Sequence, residues 1–330
     1  MSAIRLFAFT LILVFSQSTH AQDTWWQVDR WKEAGWKTDF DNKNIDLSEV
    51  QSGGPPKDGI PPIDNPKFIS VSAETELTPQ DPVIGLEING DARAYPLRVM
   101  TWHEIVNDMV GGTPVAVTYC PLCNAAIVFD TRINGKKHTF GTTGKLRKSD
   151  LIMYDRTTES WWQQFTGEAI AGSYTGQKLQ LIPARLESWK DFTDRFPNGK
   201  VLVPNNPNMR DYGRNPYQYY DISKSPFLYS GSMPKGIPAM ARVVIIKRDG
   251  KQPLIMSQQK VRNAGAVTLD GIKISWKSGQ ASALHESIIS AGRDVGSIVV
   301  QDFQTGDDLP YDVTFAFVAH AFHPEIAIKK

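Results

Sequence analysis

From Val83 onward, short apolar runs bounded by turn residues recur along the chain, and helical spacing is scarce. Val83-Ile84-Gly85-Leu86-Glu87-Ile88 leads into Asn89-Gly90, a dipeptide suited to a two-residue hairpin turn. Ala92 to Leu97 reads as the return strand. Val99 to Val110 reads as a helix with Met100, Ile105, Val106 and Met109 on one face, stopped by Gly111-Gly112. Val115 to Tyr119 predicts a short buried strand. Ala125 to Asp130 and Lys137 to Phe140 predict strands around a turn at Asn134-Gly135, and Leu151 to Tyr154 and Gly167 to Ala171 continue the sheet. Ser188 to Phe196 predicts a helix ended by Pro197. After a Pro, Asn, Tyr and Gly-rich stretch, strands are expected at Ala241–Lys247, Ile272–Trp276, Gly296–Asp302 and Tyr311–Val318.

The pattern gives a β-rich α+β fold with mixed or antiparallel sheets and a few short helices. Val83 to Gly90 resembles Val243 to Gly250, and Pro-Leu follows both, so a duplicated β unit is one reading and a recurrent hairpin pattern the other. Five segments follow. Residues 1–21 read as a signal peptide, 22–66 as an ordered Trp/Pro-rich arm and 67–202 as a first β-rich unit. Residues 203–240 form an irregular connection, and 241–330 a second unit packed on the first.

The signal-peptide reading rests on Arg5, the apolar run Leu6–Phe15 and the small residues up to Ala21, after which cleavage is expected. It places the mature protein in the periplasm or outside the cell. No later stretch is long and apolar enough for a membrane helix. Lysines and arginines number 36 against 35 acidic residues. This balance gives no electrostatic basis for binding nucleic acid or an anionic membrane.

The chain has two cysteines, in Tyr119-Cys120-Pro121-Leu122-Cys123-Asn124. In an exported protein such a pair can close a disulfide, cycle as a redox couple or hold a metal with further ligands. The segment after Cys123 reads as a strand, so the helix that lowers a thioredoxin-type cysteine's pKa is missing. A disulfide across so short a loop gains little chain entropy. The metal reading therefore leads, with one zinc or copper ion held by Cys120 and Cys123 plus His103 and His323. His103-Glu104 lacks the second histidine of a zinc-protease helix, since Asn107 occupies that place. Glu104 and Asp155 are the acid–base candidates. Tyr154, Arg156, Ser160, Trp162 and Gln164 form either a pocket wall or an ordinary hairpin with its core. A thiol–disulfide oxidoreductase and a non-catalytic ligand-binding module with a structural disulfide are the alternatives.

The order and spacing of Ser52-Gly-Gly-Pro-Pro-Lys-Asp-Gly-Ile-Pro61, Ala94-Tyr-Pro-Leu97, His103-Glu-Ile-Val-Asn-Asp108, Thr118-Tyr-Cys-Pro-Leu-Cys123, Tyr154 to Gln164 and Ala321-Phe-His-Pro324 are specific. On these motifs the chain resembles the prokaryotic domain-of-unknown-function family 3179. The resemblance implies a shared fold and marked positions, and brings no established reaction. Asn124 departs from the Gly or Ala usual after the second cysteine.

Overall fold

A computed structural model describes residues 19–248 and 250–330. Residues 1–18 of the expected signal segment lie outside them. The fold is β-rich α+β, with mostly antiparallel sheets and short helices.

Two stretches of chain repeat one plan. In the first, the hairpin Pro82–Ile88/Asp91–Pro96 runs into the helix Leu97–His103 and then the hairpin Ile105–Val110/Thr113–Cys120. In the second, the hairpin Arg242–Arg248/Lys251–Ser257 runs into the helix Gln258–Ala264 and the hairpin Ala266–Leu269/Ile272–Lys277. Each last strand takes a further partner, Ala125–Asp130 in one and Ser297–Asp302 in the other. Each first strand is closed by a strand–helix pair: Arg185–Ser188 with Trp189–Arg195, and Tyr311–Phe315 with Ala316–Phe322. The resemblance between Val83–Gly90 and Val243–Gly250 is therefore one part of a duplicated unit.

The first copy carries an insertion before its closing strand. It builds the sheet of Phe140–Arg147, Asp150–Asp155, Trp161–Gln163 and Glu168–Ala171, which Val50–Ser52 joins at one edge. On this sheet the N-terminal segment buries Val28, Trp31, Trp36 and Phe40 around Trp161. Ring centroids there lie 4.8 to 5.1 Å from Trp161. Replacing Trp161 with Ala should destabilise the protein by about 3–5 kcal/mol, as for other large buried aromatics. A shift in the denaturant midpoint, with faster proteolysis of the N-terminal segment, is the expected readout.

Three predicted elements differ. The strand expected over Lys137–Phe140 is split: Lys136–Lys137 pairs with Arg132–Ile133 in a short hairpin around Asn134-Gly135, and a separate strand starts at Phe140. The helix expected over Val99–Val110 ends at His103, because Glu104 takes a left-handed conformation (φ 58°). Ile105–Val110 is a strand, and Gly111-Gly112 is its hairpin turn with both φ positive. The strand expected over Tyr311–Val318 stops at Phe315. Ala316 to Ala319 are buried all round as a helix, and so short an apolar run has no period that separates helix from strand.

Candidate metal centre

The hairpin Thr113–Cys120/Ala125–Asp130 turns through Pro121-Leu122-Cys123-Asn124. Asn124 closes the turn at φ 52°, a conformation asparagine tolerates better than most residues. Its side-chain amide donates to Val313 O at 2.9 Å, and the Thr314 hydroxyl donates to Cys123 O at 2.7 Å. The second copy's closing strand thus clamps the loop. Gln164 braces it from the other side, donating to the Thr118 hydroxyl at 2.8 Å.

The insertion brings a second hairpin tip to the loop. Lys148 and Ser149 join Phe140–Arg147 to Asp150–Asp155 in a two-residue turn, both with positive φ. Non-glycine residues are strained there. The turn sets Ser149 O 3.5 Å from Cys123 Sγ and delivers Asp150 to both sulfurs. One ligand atom each from Cys120, Cys123 and Asp150 lie within 4.8 Å of one another, all fully buried. Asp150 Oδ2 accepts from Gln163 Nε2 at 2.6 Å and from Phe165 N at 2.9 Å, whereas Oδ1 has no nitrogen or hydroxyl donor, and the thiols of Cys120 and Cys123 are the groups turned onto the carboxyl.

Glu104 completes an acidic group. The duplication places it where the second copy has Gly265 (φ 72°), the residue this backbone favours. The first copy holds a glutamate there against backbone strain. Among the described residues, no hydrogen bond reaches its carboxyl. Burial, with the Asp150 charge adding to it, pushes Glu104 up to about 8. Burial likewise raises Asp150 to about 6, against the pull of its donors. Both thiols are raised by burial as well, so neither is a ready thiolate. After burial, the strongest influences on these four groups come from carboxyl, thiol, amide and backbone groups.

Glu104 and Cys120 open onto a cavity of about 530 Å³. Pro121, Leu122, Leu146 and Leu151 line one side, and Tyr217, Tyr220 and Phe227 from the irregular 203–240 segment roof it. Lys145 also borders the cavity. The strand register puts its side chain on the face of Ile152, opposite to that of Leu146 and Leu151, and toward Arg30. Its charge is therefore directed away from the acidic floor.

The other expected site residues sit elsewhere. His103 is engaged at both ring nitrogens, 2.7 Å from Pro61 O and 2.7 Å from the Tyr212 hydroxyl. His323 is half-buried at the end of the last helix, in the field of Glu325, Lys247 and Lys148. Neither joins the Cys–Cys–Asp group. Asp155 staples its own turn, accepting from Thr157 N, Thr158 N and Trp162 Nε1. Tyr154 donates to Asp58 at 2.5 Å, and Arg156 pairs with Asp64 at 2.6 Å. Ser160 belongs to the Asp155 turn, Trp162 to the core and Gln164 to the cysteine hairpin. None of these six lines the cavity. Asp150 is the residue the sequence reading missed. Its signal was an acidic residue heading an otherwise apolar strand, Asp150-Leu-Ile-Met-Tyr154.

No helix among the described residues is long and apolar enough to cross a membrane. The model of a family described as "Protein of unknown function (DUF3179)" matches residues 57–326, and the chain belongs to that family. No curated protein and no solved structure matches it.

Proposed function

We propose that this member of the DUF3179 family is an exported metal-dependent protein, with zinc the best-suited ion, bound by Cys120, Cys123 and Asp150. The observation that carries the reading is the buried Asp150 carboxyl with two buried thiols turned onto it. Four ionisable acids share the site, and a divalent ion would offset the charge of their deprotonated forms. Two sulfurs and a carboxylate oxygen suit zinc better than copper(I), which favours an all-sulfur set. Three protein ligands leave a position free, the arrangement of catalytic rather than structural zinc. Export rests on the sequence of residues 1–21.

The cavity points to catalysis on an uncharged, largely apolar small molecule. Its walls are mostly apolar and its floor is acidic, so an anionic substrate is disfavoured. A zinc ion there would polarise a water or a substrate oxygen. Glu104, with its raised pKa, then accepts and returns a proton near neutral pH. Tyr217 and Tyr220 shield the floor from solvent.

Cobalt(II) serves as a spectroscopic stand-in. Added to metal-free protein, it should give thiolate-to-cobalt charge-transfer absorption that falls sharply in Cys123→Ser and is lost when both cysteines are replaced by serine. A spectrum without thiolate bands contradicts the ligand set. The closeness of the two sulfurs also favours the redox alternative. That alternative predicts a reversible disulfide and no cobalt–thiolate signal from the reduced protein.

A further inference from the structure

The duplicated copy lacks the cysteines but has a basic cavity of its own. Arg242, Arg262, Arg293, Ser257, Gln258 and Asp294 line a space of about 200 Å³ beside the helix Gln258–Ala264. The duplication shows that this charge is not required by the fold. At the matching positions the first copy has Pro82 for Arg242, Leu97 for Gln258 and Thr101 for Arg262.

Arg242 is the informative residue. Its side chain is only 7% exposed. Burying a guanidinium is costly unless it is well paired. Nη2 donates to the Ser282 hydroxyl at 2.8 Å and reaches Asp221 at only 3.4 Å, and Nε is buried with no partner. Asp221 is shared with Arg293, whose Nη2 lies 3.2 Å from the same oxygen. One carboxylate thus serves two guanidiniums. Asp294, the acid that lines the cavity, accepts from the backbone N–H groups of Gly279 and Gly296 at Oδ1. Arg262 sits over Trp276, with its guanidinium carbon 5.1 Å from the ring centroid. That contact leaves its N–H edge free to donate.

We infer that this cavity binds a small oxyanion, a phosphate, sulfate or carboxylate group, held by Arg242, Arg262 and Arg293. Guanidinium groups match such anions in shape and charge, and Ser257 and Gln258 add neutral polar contacts. The site is separate from the cysteine cavity and does not depend on the metal reading.

The test is calorimetric titration of the whole protein with inorganic phosphate, sulfate and acetate, against chloride at equal ionic strength. Saturable binding of phosphate or sulfate assigns the site to an inorganic oxyanion, and binding of acetate alone assigns it to a carboxylate. Arg262→Ala and Arg293→Gln, both at exposed or half-exposed side chains, should each weaken binding about tenfold, the loss of one charge-assisted contact. Thermal melts of the variants show whether they are folded. The inference is overturned if none of the three anions binds beyond chloride, or if both folded variants bind as the unaltered protein does.

Discussion

Replacing Asp150 with Asn should leave the protein folded and lower its zinc affinity by about 100-fold or more. Changes to groups that merely support a ligand already weaken metal sites by about 10–100-fold, so loss of a ligand should reach at least that range. Asparagine has nearly the shape of aspartate. Its carbonyl oxygen can still accept from Gln163 and Phe165, the two donors that hold Asp150 Oδ2. Its amide would then face the sulfurs, a poor ligand in place of a carboxylate. Competition against a chromophoric chelator measures the loss, and the melting temperature of metal-free protein controls for folding. Affinity unchanged in Asp150→Asn would remove this residue from the site.

A second expected result is a reversal of pH dependence on metal binding. In the metal-free protein, Glu104 at about 8 and Asp150 at about 6 lie above the 4.5 and 3.8 of unperturbed groups. The folded state therefore keeps protons that the unfolded chain releases. The stability this provides is present at pH 4 and is lost as pH rises toward 8. For Glu104 the change is roughly 2–5 kcal/mol, from about 1.4 kcal/mol per pKa unit. Glu104→Gln should abolish that part of the slope, so the variant becomes more stable than the parent above pH 7 when metal-free. Zinc should turn the slope over, because its ligands bind best when deprotonated. Urea unfolding at pH 5, 6, 7 and 8, with and without zinc, gives both curves. A metal-free protein whose stability does not fall over this range would contradict the burial of these acids.

The hairpins at Asn89-Gly90 and Asn134-Gly135 were legible because their residues fit the positive φ angles that the structure shows there. The repeat was visible in part, since matched hairpins leave matched apolar patterns. The change at Glu104 was hidden. Nothing local marks a glutamate as taking a glycine's conformation, and only comparison with Gly265 exposes it. Cys120 and Cys123 declared themselves by type and spacing. Their partner did not, because Asp150 arrives on a separate hairpin whose docking is a tertiary event. Histidines drew the prediction by chemical habit, yet His103 had already spent both nitrogens on Pro61 and Tyr212. The polar stretch Tyr154–Gln164 looked like a pocket wall, but its side chains satisfy one another and the backbone around Asp155.

Elemental analysis of the unaltered protein, expressed with zinc present and desalted, tests the central claim most directly. About one zinc per chain is expected for a single site of this ligand set, and none in Cys120→Ser. Unaltered protein without metal, or Cys120→Ser with the same metal content, would contradict it.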